Sequence, residues 1–312
     1  MKRLYSLILM VALTLALVAC GGDSDEAKDD GNADNKDKGA ETPDTLVMGF
    51  VPSQDSGNIA STVEPLAERL SEELGIEVEG KVMVNYNALI EAMGAEQVQI
   101  GFIPAFGYVI ANEQYDTEVI LKSIRHGSGS YKAQYVVRSD SGIDSLEDLE
   151  GKIWAYADKG STSGYLFPAS QLMEKFDYEN GPELESEFFG GSKPAGGHDT
   201  AALAVLDGEA DVATTFDDVR DNLEEDYPEI KEDLKVIDYT DEIPNDTISV
   251  TKGLDSELVE KIKEVFLSFN DDEEMIKIMH DVYTWDAIEE ATDEEYEVVR
   301  KTYKKFQDDI SL

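Results

Sequence analysis

Residues 152–168 read KIWAYADKGSTSGYLFP. Lys152 to Ala157 carries aromatic and apolar side chains in the pattern of a short buried strand. Tyr165 to Phe176 has helical spacing, and Gly160-Ser161-Thr162-Ser163-Gly164 lies between the two. A helix that starts just after a strand presents free backbone N–H groups and a partial positive charge. Flanking glycines let the backbone approach a ligand closely. Three adjacent hydroxyls add donors that rotate to suit an oxygen-rich anion. Such a turn suits an anion without any charged side chain. The same residues also make an ordinary Ser/Thr helix cap, and local chemistry leaves both readings open.

Strand and helix signals alternate on either side. Upstream, Thr45 to Val51 reads as a strand. Ser61 to Glu64 has capping-box spacing with Pro65 in the first turn, and Leu66, Leu70 and Leu74 form one stripe closed by Gly75. Strands are expected at Ile76–Val84, Val98–Ile103, Val119–Ile124 and Ala133–Arg138, and helices at Asn87–Met93 and Pro104–Asn112. Downstream, Ser145 to Asp148 has capping-box spacing, His198–Leu206 is helical, and Asp211–Thr215, Leu234–Ile237 and Thr247–Val250 are strands. From Asp255 the chain reads as helical, with Leu258, Ile262, Val265 and Phe266 on one stripe. The pattern predicts an α/β fold with a mixed or parallel sheet in each of two successive units. The expected division is lobe one at 45–136 plus 247–312 and lobe two at 137–246.

The N-terminus has a different character. Lys2 and Arg3 precede an apolar run from Leu4 to Ala19, short for a membrane span and suited to a signal peptide. Leu17-Val18-Ala19-Cys20-Gly21 resembles the bacterial lipobox, which implies cleavage after residue 19 and a lipid on Cys20. Cys20 is the only Cys in the chain, so an internal disulfide is excluded. Residues 20–44 are rich in Asp, Lys, Gly and Asn and read as a flexible acidic tether. The formal net charge of −42 argues against nucleic acid and an anionic membrane surface as partners.

Several segments together resemble the periplasmic phosphonate-binding proteins of ABC importers (PhnD-type) and their phosphate and phosphite relatives. They are VNYNALIEAM, VQIGFIPAFGYVIA, GSYKAQYVVRSDSGI, SLEDLEGKIWAYADKGSTSGYLFP, GGHDTAALAVLDGEADVAT and EIPNDTISV, spanning roughly Thr45 to Phe269. The resemblance implies a two-lobed type II periplasmic-binding-protein fold, each lobe a mixed sheet flanked by helices, closing on a small phosphorus oxyanion. It implies a membrane permease with its ATPase as partner; no cofactor or metal is expected, and a monomer is the default.

It also implies roles for particular residues. Ser161, Thr162 and Ser163 hold the phosphorus oxygens. Tyr86 and Tyr131 donate phenolic hydroxyls from lobe one, and His198 contacts an oxygen from lobe two. Asp246 accepts a hydrogen bond from a protonated oxygen, which excludes sulfate. Asp218, with Asp217 beside it, matches the place where aminoalkyl-phosphonate binders carry an acid for the ligand amine. GFIPAFGY departs from the aromatic-glycine pattern of those binders. His126, in RHGSGS, is expected to be exposed.

Other classes lack their motifs. There is no GxSxG elbow, HExxH, CxxC or GxxxxGK[ST], so nothing supports hydrolase, zinc, thiol-redox or nucleotide chemistry. A binding module for a sulfonate or amine-bearing compound, or a surface sensor, stays open as the alternative.

Overall fold

The computed structural model describes residues 43–54 and 56–306. The expected signal peptide, Cys20 and the tether through residue 42 lie outside the described residues. β1 (Thr45–Phe50), β2 (Glu77–Val82), β3 (Ile100–Ile103) and β4 (Glu118–Ile124) share one sheet with β10 (Thr247–Val250) and β11 (Ala287–Glu290). The order is β11-β4-β10-β3-β1-β2. β1 runs parallel to β2 and β3, whereas β10 and β11 pair antiparallel. β3 and β10 are buried at every position, as strands covered on both faces must be. α1 (Ser56–Leu74), α2 (Tyr86–Gly94) and α3 (Ala105–Tyr115) flank this sheet.

The second sheet contains β5 (Ser130–Arg138), β6 (Ile153–Tyr156), β7 (Gly191–Pro194), β8 (Val212–Phe216) and β9 (Leu234–Pro244), in the order β7-β6-β8-β5-β9. β6 is parallel to β7 and β8, and β5 is antiparallel to β8 and β9. Each sheet with its helices forms one lobe.

Three expectations shift. The crossing expected near Arg138 falls earlier, because all of β5 pairs within the second sheet. Tyr131 therefore stands on the second lobe, not the first. Apolar alternation along β5 cannot say which sheet it joins; the hairpin before it does. The capping-box spacing at Ser61–Glu64 does not start a helix, since α1 begins at Ser56 and encloses Pro65. Burial of Ile59 and Val63 extends the helix upstream of the cap signal, an override of local propensity by packing. The tail from Asp255 is not wholly helical, because Ala287–Glu290 pairs with β4.

The lobes are joined by two adjacent segments. Between β4 and β5 the chain makes a tight hairpin, with Arg125 N donating to Ser128 O (3.0 Å) and Ser128 N to Arg125 O (2.9 Å). His126 and Gly127 take left-handed φ values of 50° and 74°, the signature of a tight hairpin turn. Asn245, between β9 and β10, donates through Nδ2 to Ser123 O (2.9 Å) and Ser128 O (2.8 Å). One buried amide thus ties the two crossings side by side.

Candidate functional site

In open α/β sheets, sites form beyond the carboxyl ends of parallel strands. Those ends face one another here. Val51, Ser53 and Gln54 follow β1, Pro104 follows β3, Ser161 and Ser163 follow β6, and Phe216 ends β8. With Tyr86, Arg125, Tyr131, His198, Asp246 and Tyr283 they enclose a cavity of ≈ 20 Å³. A sphere of that centre volume has a radius of about 1.7 Å, and adding a 1.4-Å water radius gives about 3 Å, the reach of a tetrahedral oxyanion from its central atom.

The 160–164 turn is built into its own lobe. Trp154 on β6 donates from Nε1 to Thr214 Oγ1 (2.8 Å), and Thr214 donates in turn to Gly164 O (2.5 Å). Trp154 also stacks on Tyr165, with ring centroids 5.3 Å apart. Ser161 caps the helix, its Oγ accepting from Gly164 N at 3.0 Å. Thr162–Leu166 is one π-turn, closed by Phe167 N on Thr162 O, leading into α4 (Phe167–Phe176). A widened first turn of this kind recurs at functional sites.

The three hydroxyls do not act alike. Ser161 Oγ also meets His198 Nε2 at 3.2 Å, and Ser163 Oγ accepts from the Tyr131 hydroxyl at 3.2 Å. Both line the cavity. Thr162 is fully buried, does not line it, and accepts from Phe106 N (2.9 Å) at the start of α3. Its hydroxyl therefore bridges to the opposite lobe. His198 N makes a second bridge, to Ser53 O at 2.9 Å.

Two donors are held ready. The Tyr86 hydroxyl is buried, lies near Ser161 and makes no hydrogen bond of good geometry. Burial, then the charges of Asp158 and Asp246, keep it well above the ordinary phenol range, so it stays protonated. His198 is buried with Nδ1 unpartnered. Burial, aided by Arg125, lowers it to about 3, so the imidazole is neutral. When Ser161 gives its proton to Nε2, Nδ1 carries the ring hydrogen and becomes a donor. Buried polar groups without partners are costly, so both mark a place where a polar ligand is expected.

Asp246 stands at the β9–β10 crossing and lines the cavity. Burial, only partly offset by Arg125, raises its carboxyl to about 6.

Asp218 differs from its expected role. It does not line the cavity. One carboxylate oxygen is ion-paired with Arg125, and the other meets His126 Nε2 at 2.9 Å. Burial alone would raise its carboxyl, but Arg125 and His126 hold it below the usual range. Asp217 does not line the cavity either, and accepts from Lys132 N at 3.3 Å. The expected exposure of His126 holds for its side chain, 63% exposed, yet that side chain is engaged. Arg125 is the residue the sequence reading missed. It lines the cavity with its side chain only 8% exposed, and its guanidinium lies 5.8 Å from the Tyr131 ring and 5.0 Å from the Phe216 ring. The site thus contains a buried cation after all. The available signal was a lone Arg in a Gly/Ser turn between two strands.

Known proteins resemble this chain in sequence and fold. The family model for the periplasmic substrate-binding protein of phosphonate ABC transporters matches residues 48–296. The phosphate-import protein PhnD of Mycolicibacterium smegmatis is 29% identical over 229 residues, covering 72% of this chain and 71% of the relative. A binding protein component of an ABC phosphonate transporter from Pseudomonas aeruginosa superposes with a TM-score of 0.75 at 25% identity, over 83% of this chain and 85% of the other. PhnD1 of Prochlorococcus marinus, solved with methylphosphonate, shares the fold with a TM-score of 0.74 at 18% identity, over 86% and 100% of the two chains.

Proposed function

The chain belongs to the periplasmic substrate-binding protein family of phosphonate ABC transporters, and on that premise we propose that it captures a small phosphorus oxyanion outside the cytoplasm. It then delivers the ligand to a membrane permease driven by an ATPase. The observation that carries this reading is the convergence, on one oxyanion-sized cavity, of the Ser161–Ser163 helix start, the unpartnered Tyr86 hydroxyl and His198 Nδ1, and the Arg125 guanidinium. Neutral donors and a cation complement an anion, and the Ser161–His198 pair has no orienting group on Nδ1, which favours binding over turnover.

Asp246 tunes the choice of anion. A carboxylate facing an oxyanion is repulsive unless a proton lies between them. Phosphate, phosphite and phosphonates carry that proton near neutral pH, whereas sulfate does not. Sulfate must be met by a protonated Asp246, which for a carboxyl raised to about 6 costs about 1.4 kcal/mol near pH 7. This is specificity by penalty.

Capture proceeds with closure. Residues 45–124 and 247–306 move against residues 130–244 about the paired crossings, and Thr162–Phe106 and His198–Ser53 zip the cleft shut. Cys20 carries the lipid that holds the protein, as a monomer, at the outer face of the cell membrane. Cys20→Ser should move it from the membrane to the soluble fraction.

Isothermal titration calorimetry with phosphite, phosphate, methylphosphonate and sulfate tests the central claim. Binding of at least one phosphorus oxyanion, about tenfold or more tighter than sulfate at pH 7, is the expected result. Binding of sulfate alone, or of none of the four, sinks it.

A further inference from the structure

Arg125, Asp218 and His126 form a cluster that ordinary anion binding by the 161–163 turn does not require. Arg125 and Asp218 are both about nine-tenths buried and paired directly. Tyr131 and Phe216 flank the guanidinium and hold its plane. Arg125 Nε is buried with no hydrogen-bond partner, so the guanidinium keeps an unused donor at the cavity that it lines. Both oxygens of Asp218 are already engaged, one by Arg125 and the other by His126.

The consequence concerns the part of the ligand away from its oxyanion. An ammonium group is recognised by a carboxylate or an aromatic cage. Here the candidate carboxylate is consumed by a fixed cation. A second cation brought there meets Arg125 as a like charge and must displace it from a buried pair. Among the described residues lining the cavity, the remaining carboxylate is Asp246, and it stands in the field of the same arginine. The small cavity adds a steric limit in the same direction.

We propose that the Arg125–Asp218–His126 cluster sets the ligand class as a phosphorus oxyanion without an amine, namely phosphite, phosphate or a short alkylphosphonate. Arg125 contacts the anion, and Asp218 is a positioning residue that holds Arg125 in place. This rests on the reading that the cavity binds a phosphorus oxyanion.

The test is calorimetric competition on the purified protein with phosphite, phosphate, methylphosphonate and 2-aminoethylphosphonate. The best amine-free ligand is expected to bind at least roughly 100-fold tighter than 2-aminoethylphosphonate, the scale of a like-charge contact. Equal or tighter binding of the amine overturns the inference while leaving oxyanion capture intact. Failure of all four overturns both. Two variants, each checked for a cooperative melt, separate positioning from contact. Arg125→Gln frees Asp218, so amine-free ligands should weaken by roughly 100-fold while the selectivity ratio narrows or inverts. Asp218→Asn should keep the ratio in favour of amine-free ligands. Loss of 2-aminoethylphosphonate binding in Asp218→Asn, with methylphosphonate unchanged, would show that Asp218 holds an amine and would overturn the proposal.

Discussion

The 161–163 turn and the Arg125–Asp218–His126 cluster meet the same cavity with opposite chemistry. The turn offers neutral hydroxyls at a helix start, those of Ser161 and Ser163 on one strand–helix junction. The cluster offers one full charge, Arg125, held by Asp218, which lies 93 residues away in sequence. Neutral donors accept any compact oxyanion and adapt by rotating. A buried ion pair does neither, because its geometry is fixed and its desolvation cost is always present. The division of labour follows: the turn and Arg125 both meet the anion, and the fixed ion pair also restricts what is attached to it.

The largest expected effect comes from unbalancing the charged side. Arg125→Met strands the Asp218 carboxylate in the interior and should cost about 3–5 kcal/mol of folding stability by denaturant melt. Arg125→Met combined with Asp218→Leu should recover most of that loss, because an apolar replacement of a buried pair is often neutral. Oxyanion binding should stay weakened by roughly 100-fold in both. Recovery of binding together with stability would mean that the cation serves the fold alone.

A smaller effect separates the two sides by pH. The Asp246 carboxyl is raised from 3.8 to about 6 in the folded protein. A raised pKa means that the folded state favours the protonated form. The associated stability is therefore complete below about 3.8 and is lost as pH rises through 6. Asp246→Asn removes this dependence. Between pH 4 and 7 the wild type should lose up to about 2 kcal/mol relative to the Asn variant. His198 acts in the reverse sense. Its lowered value, about 3 against an ordinary 6.5, means that stability is complete above 6.5 and falls as pH drops toward 3. Parallel melts of wild type and His198→Gln should converge on the basic side and diverge on the acid side.

What was legible follows from the same contrast. Strand and helix periodicity located β1, β3, β6, β10 and the helix His198–Leu206, because burial stamps its period on contiguous residues. The turn was legible for that reason as well. Tyr86, His198 and Asp246 became candidates only through family resemblance, since nothing local says that they face one cavity; the fold does bring them there. Arg125 and the true partner of Asp218 were not legible. Their pairing depends on where the chain crosses between lobes, and the crossing is set by which sheet β5 joins. Period-two alternation is silent on that choice. The short edge strands Gly191–Pro194 and Ala287–Glu290 escaped because neither carries a run of strongly β-forming residues.

On the neutral side, Ser161→Ala should weaken the best oxyanion by about 1–2 kcal/mol, because the Ser161 hydroxyl holds His198 Nε2 and so keeps the ring hydrogen on Nδ1. It should also cost about 1 kcal/mol of stability, because Gly164 N loses its cap. A change in stability without a change in affinity would reduce the hydroxyl to an ordinary helix cap, the reading that the sequence alone left open.

The two phenols sharpen the comparison at its finest scale. Tyr131 gives its hydroxyl to Ser163, whereas Tyr86 gives its own to nothing of good geometry. Removing a bonded hydroxyl leaves a partner behind, while removing an unbonded one relieves a buried polar group. Tyr131→Phe should therefore lower both stability and affinity, each by about 1 kcal/mol or less. Tyr86→Phe should leave the free protein as stable as before or slightly more so, yet weaken binding by about 1 kcal/mol. Opposite signs for stability and affinity at one residue are what a ligand donor produces and a packing residue does not. Thermal melts with and without saturating ligand read both quantities from one sample. A Tyr86→Phe protein destabilised in both states would place that hydroxyl in the fold rather than in the site.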